Sequence, residues 1–144
     1  MLMMRLLILT TFMVCNLMVM AQRGLHIEPL FEGKVIPQER MMETRVRGRS
    51  LSKYGLTFFR SLRFEAGKKE REQVVRLIEQ DLEGLPETDY QRSRGKWKEH
   101  IYLLLPKVNG NQRMLCYKQE DEEVLIIYLE GPKASLESLK KMSN

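Results

Sequence analysis

The chain has 144 residues, with 24 Lys and Arg against 19 Asp and Glu, and two cysteines. A net charge of +5 gives solubility and a weak pull on anions, but it is not the charge of a dedicated nucleic-acid binder. The length suits one domain able to bury a single core.

The first residues read as a secretory signal. Arg5 marks a positive start, Leu6–Met20 is an apolar run, and Val19-Met20-Ala21 offers a cleavage site that would leave Gln22 first. The run is shorter than the roughly 20 apolar residues of a spanning helix and is broken by Asn16. Phe12-Met13-Val14 before Cys15 makes a poor lipobox, which prefers a small residue next to the cysteine. The expected division is a cleavable signal peptide over 1–21 and one domain over 22–144. Removing Arg5 leaves 23 basic against 19 acidic residues, a charge of +4, and Cys116 as the one remaining cysteine. The exported domain therefore has no internal disulfide.

Residues 23–36 carry Leu25, Ile27, Leu30 and Phe31 interrupted by Pro29 and Gly33, and read as a short edge strand or extended arm. Pro37-Gln38-Glu39-Arg40 can open one helical turn. Alternation over Glu43–Arg49 argues a strand, with a bend at Gly48 and over Ser50–Gly55. Leu56–Glu65 is a stronger strand: Leu56, Phe58, Leu62 and Phe64 share a face with Arg60 in their midst. Either Arg60 reaches past the core edge or a bulge shifts the register there. Lys68–Leu85 is the clearest helix, with Val74, Val75, Ile78, Leu82 and Leu85 at helical spacing, stopped by Gly84 and Pro86. Glu87–Gly95 is polar and reads as a loop.

Three strands follow as a meander: Trp97–Leu105, Arg113–Lys118 and Val124–Glu130, the first two joined by Asn109-Gly110, a strong hairpin signal. With those two residues as the turn, Leu103 opposes Cys116, Leu105 opposes Met114 and Tyr102 opposes Tyr117. A Glu120-Asp121 turn adds the third strand. One face then holds Ile101, Leu103, Leu105, Met114, Cys116, Leu125, Ile127 and Leu129. The other holds Tyr102, Leu104, Leu115, Tyr117, Val124, Ile126 and Tyr128. The main helix is expected on the first, purely aliphatic face. The tyrosine face, if left uncovered, would be an interaction surface, for a homodimer among others. A short helix from Ser135 presents Leu136, Leu139 and Met142. The fold class is α+β: an antiparallel sheet with a C-terminal three-stranded meander, one main amphipathic helix at about 68–85 and a short C-terminal helix.

Candidate chemistry is sparse. A nucleophile would need Cys116 with His26 or His100, but this register puts His100 on the face opposite Cys116, which reads as an inert buried thiol. His26 and Glu28 would share a strand face, without the third ligand a zinc site needs. Glu120, Asp121, Glu122 and Glu123 lack the spacing of a calcium loop. The most distinctive stretch is Arg45-Val46-Arg47-Gly48-Arg49, continuing to Lys53. Arg45, Arg47, Arg49 and Lys53 could form an anion-binding strip; the alternative is a solvated face that discourages edge association. No catalytic, cofactor-binding or metal residues are assigned and no cofactor is expected.

The segment Gln22–Gly33, followed by Glu43–Phe64 (ETRVRGRSLSKYGLTFFRSLRF), Leu115-Cys116-Tyr117 and the final strand, resembles a family of small exported Bacteroidota proteins that is a domain of unknown function. The resemblance implies a diderm envelope location, periplasm or outer surface, and brings no activity or ligand with it. The expected function is a non-enzymatic envelope binding or interaction module, its partner another envelope protein or an anionic ligand. The alternative is a small periplasmic enzyme whose site is assembled from loops, for instance from His26, His100, Arg60 and Glu28. Nucleic-acid partners and a membrane span after cleavage are not expected.

Overall fold

In the computed structural model, residues 24–143 are described; the signal-like segment and the Ala21–Gln22 junction lie outside them. A six-stranded antiparallel sheet runs in the order β1-β2-β6-β5-β4-β3. Its strands are β1 (Met42–Arg47), β2 (Phe58–Glu65), β3 (Tyr90–Gly95), β4 (Lys98–Val108), β5 (Asn111–Glu120) and β6 (Glu123–Gly131). Among the described residues the sheet is joined by three α-helices, α1 (Glu28–Phe31), α2 (Lys68–Leu82) and α3 (Leu136–Ser143).

The sheet has a core on each side. On one face Ile101, Leu103, Leu105, Leu115, Tyr117, Ile126, Tyr128 and Leu62 pack against Val74 and Ile78 of α2 and against Ile27, Leu30 and Phe31. On the other, Met114, Cys116, Ile127, Leu129 and Phe59 pack against Leu51, Ala134 and Leu139. Full burial of side chains such as Val74 and Ile78 stabilises the helix-to-sheet contact by about 1.5–3 kcal/mol each. Gly55 and Gly131 let the chain fold back behind β6. Gly55 is left-handed at φ 73°, and a Cβ on Gly131 would lie 2.4 Å from the Gly55 carbonyl oxygen.

The N-terminal stretch is helical rather than an edge strand. Pro29 sits in the first turn of α1, where its missing N–H has no helical partner to lose. Ile27, Leu30 and Phe31 are spaced to face one way on a helix, and all three are buried. The Arg49–Tyr54 segment is a 3-10 helix rather than a simple bend, so Arg49 stands beyond the end of β1. Residues 87–95 form a 3-10 turn and then β3. That strand hides from a hydropathy pattern because it is a sheet edge whose inward positions include Arg92, held by Glu99 of β4.

The largest departure is in the β4–β5 hairpin. Val108 does pair with Asn111 around Asn109-Gly110, yet Leu105 pairs with Arg113, one residue out of step. The extra residue lies at Pro106-Lys107, where proline cannot donate to the ladder and a bulge forms. Arg113 Nε donates to the Pro106 carbonyl at 2.9 Å and Gln112 Nε2 to that of Leu105 at 3.3 Å, satisfying acceptors the bulge displaces. Beyond it Tyr102 opposes Cys116, Leu103 opposes Leu115 and Ile101 opposes Tyr117. The helix α2 therefore packs on the face that carries Tyr117 and Tyr128, both fully buried, while Met114 and Cys116 belong to the opposite face with Tyr102 and Leu104. The next turn is Asp121-Glu122, with Glu120 paired to Glu123; its parity leaves Leu125, Ile127 and Leu129 with Cys116 as expected. β2 pairs continuously on both sides, so there is no bulge at Arg60.

Candidate binding cleft

The residues singled out in the sequence are dispersed. Arg45 is paired with Glu43 at 3.0 Å, the Arg47 guanidinium lies 4.9 Å over the Phe58 ring, and Lys53 caps the Tyr54 ring at 5.0 Å. With Arg49 in the 3-10 helix, the basic run does not present one continuous strip. Arg60 reaches the core edge, stacked 4.9 Å over Phe31, donating to the Phe31 carbonyl at 3.0 Å and to Glu43 at 2.6 Å.

His26 stands just before α1, with Nδ1 3.1 Å from the Asp81 carboxylate. Asp81, its side chain only 3 % exposed, also accepts the backbone N–H groups of His26 at 2.6 Å and Ile27 at 3.0 Å. It thereby pins the start of the domain onto α2. His100 lies across the sheet from there, beside Lys118 and edge-to-face with Tyr102, so the register shift puts it on the same face as Cys116, not the opposite one. That does not create a nucleophile pair. Burial pushes the Cys116 thiol up to about 12, and burial, then Lys118 and Lys98, lower the His100 pKa. Among the described residues no group of three or more His, Cys, Asp or Glu could hold a metal, and no helix is long and apolar enough to cross a membrane.

The concave feature with convergent polar groups is elsewhere, between α2 and the β3–β4 hairpin. It is a cleft of about 490 Å³. On α2, Lys68, Arg71, Glu72, Val75, Arg76 and Glu79 line it, a second helical stripe beside the buried one. Arg94, Trp97, Lys98 and Glu99 form the other wall, and Tyr117 and Gln119 of β5 form the floor.

Three details make this cleft more than a gap. The Tyr117 hydroxyl is buried without a hydrogen-bond partner, the one side-chain atom so placed among the described residues. Burial, and then Glu99, raise its pKa, so it stays a neutral donor. Second, Trp97 is left-handed at φ 68°, a conformation costing a non-glycine residue about 1–2 kcal/mol, and the residue is 67 % exposed. The Trp97 carbonyl accepts the Asp121 N–H at 2.8 Å, fixing the hairpin tip against the β5–β6 turn. Third, the charges do not cancel. Glu99 is used by Arg92 at 2.7 Å and Arg94 at 3.1 Å, and Lys98 by Glu120 at 3.3 Å. Arg92 also lies 3.5 Å from Glu79. Lys68, Arg71 and Arg76 make no ion pair among the described residues, against Glu72 as the one unpaired carboxylate of the lining. Arg71 Nη1 is instead held by the Ala66 carbonyl at 2.7 Å.

Trp97, Asp81 and this second α2 stripe were not singled out in the sequence, and Tyr117 was expected on an interaction face rather than at the floor of a cleft. The spacing 68, 71, 72, 75, 76, 79 and the single tryptophan of the chain were the available signals. A smaller hollow of about 280 Å³ on the other face, lined by Tyr90, Tyr102, Leu104, Met114 and Leu136, has no unpartnered buried polar group.

These features define a small α+β domain with a cationic cleft beside an exposed tryptophan. Residues 14–143 match the model of a family of unknown function, DUF6108, and the chain belongs to that family. No curated protein and no solved structure is significantly similar to it.

Proposed function

We infer that the chain is an exported, non-enzymatic binding module that receives an anionic group of its partner in the cleft between α2 and the β3–β4 hairpin. The observation that carries this reading is the unpartnered Tyr117 hydroxyl at the floor of a cleft with surplus cations. A buried hydroxyl without a partner costs about 1–3 kcal/mol, a cost a ligand acceptor would relieve. Lys68 and Arg76 then supply attraction, and Arg71, held in place by a backbone carbonyl, a preset donor. His26 and His100 lie on opposite sides of the sheet, which favours binding over a catalytic site drawn from them.

The signal-like start, and the likeness of Gln22–Gly33 and Glu43–Phe64 to small exported Bacteroidota proteins, support an envelope location, in the periplasm or at the outer surface. Mass spectrometry of the exported chain is expected to find Gln22 at its N-terminus; a chain that keeps Met1 would reject export by cleavage. Because Trp97 is the single tryptophan, its fluorescence reports on the cleft directly. Titration at low salt with a tryptophan-free, glutamate-rich peptide is expected to change it saturably, and K68Q/R76Q to weaken the response. An unchanged signal in both proteins would reject the cleft as an anion site.

A further inference from the structure

The cleft does not end at Trp97. A second depression, lined by Glu65, Arg71, Trp97, Glu120, Asp121, Glu122 and Glu123, shares Arg71 and Trp97 with it. Because Arg71 and Trp97 line both, the two depressions adjoin there as the ends of a groove, and these ends carry opposite charge. At the α2 end Lys68, Arg71 and Arg76 make no ion pair among the described residues, against the single unpaired carboxylate of Glu72. At the turn end Glu120 is taken by Lys98 and Glu123 by Arg63, at 3.3 and 3.4 Å, while Glu65, Asp121 and Glu122 make no ion pair among the described residues.

Resting on the anion-site reading above, we propose that the occupant is an extended polypeptide segment of segregated charge, acidic at one end and basic at the other. Its acidic end lies along Lys68, Arg71 and Arg76, and its basic end at Glu65, Asp121 and Glu122. A uniform polyanion satisfies the first end and is repelled by the second, because like charges brought together at an interface are strongly unfavourable. A small anion would leave half of the groove unused. A polypeptide also supplies what the middle of the groove asks for. The neutral Tyr117 hydroxyl can donate to a main-chain carbonyl, and the exposed indole of Trp97 can cover an apolar side chain between the charged ends. The hydrogen bond from Asp121 N–H to the Trp97 carbonyl keeps the acidic turn and the indole in fixed relation, so the polarity of the groove is built in.

The test uses labelled, tryptophan-free peptides of about ten residues, long enough when extended to pass both ends. One has an acidic half and a basic half, made in both orders; one has the same composition with charges alternating; one is all acidic. Anisotropy and Trp97 fluorescence are read on the full chain. One of the two segregated peptides is expected to bind about tenfold more tightly than the alternating peptide. The E65Q/D121N/E122Q variant is expected to weaken that peptide and to strengthen the all-acidic one, a change of sign that loss of folding would not produce. If the all-acidic peptide binds as tightly as either segregated one, or charge order makes no difference, the segregated-charge proposal is overturned while the anion site stands. If no peptide perturbs Trp97, both readings fail.

Discussion

Replacing Tyr117 with Phe separates stability from function in a way few buried substitutions do. The ring is fully buried between Ile101 of β4 and Ile126 of β6, and phenylalanine keeps that packing. Only the hydroxyl is lost, and in the free protein it has no hydrogen-bond partner. Leaving such a group buried costs about 1–3 kcal/mol, so Tyr117→Phe is expected to stabilise the domain by about 1 kcal/mol or more. For a domain of this size that corresponds to roughly 3–6 °C in Tm. Urea unfolding followed by far-UV circular dichroism checks the change, with the slope unchanged because the exposed surface is the same. A Tm equal to or below that of the parent would refute the reasoning, since it would mean the hydroxyl is satisfied in the free protein. The same variant is expected to bind the acidic peptide less well. Increased stability with weakened binding is the signature of a polar group kept for a ligand.

Asp81→Ala removes the acceptor of two backbone N–H groups and is expected to destabilise by about 2–3 kcal/mol, with hydrogen exchange accelerated first at residues 26–31; uniform loss of protection would argue against a local latch. Cys116, its thiol pushed up to about 12 by burial, is expected to stay unmodified by an aromatic disulfide reagent at about pH 8 until urea unfolds the chain, and prompt labelling of the native protein would contradict the placement. For Glu43, burial works to raise the carboxyl, but the hydrogen bonds from Arg45 and Arg60 outweigh it and hold the group below 4.5. A depressed carboxyl stabilises above its unfolded value, and that contribution is lost as pH falls through the folded one. Glu43→Gln is therefore expected to lose less Tm than the parent between about pH 5 and 3, and parallel acid limbs would remove the ion pair from the account.

Local chemistry made much of the fold readable. The α2 stripe of Val74 and Ile78, the alternation in β1 and β2, and the Asn109-Gly110 turn each point to their elements without help from the rest of the chain. What could not be read depends on partners distant in sequence. β3 is polar because it is an edge whose Arg92 is satisfied by Glu99, a residue of the next strand. Residues 27–31 are compatible with an arm or a helix until Asp81, more than fifty positions on, collects the N–H groups of His26 and Ile27 at their start. The cleft was hidden for a related reason. Tyr117 reaches its floor only in the register set by the bulge, and the turn signal alone specifies the other register.

Pro106 has a second consequence, for the company the protein keeps. β3 pairs with β4 only as far as Leu103, so among the described residues no strand pairs with the outer edge of β4 from Leu104 to the tip. A run such as Leu103-Leu104-Leu105 beside open backbone donors is the kind of template on which other chains add strands. The bulge at Pro106-Lys107 bends β4 there and spoils the flat ladder an incoming strand would need. The irregularity that sets the hairpin out of step thus also makes this strand edge a poor template for the addition of further strands.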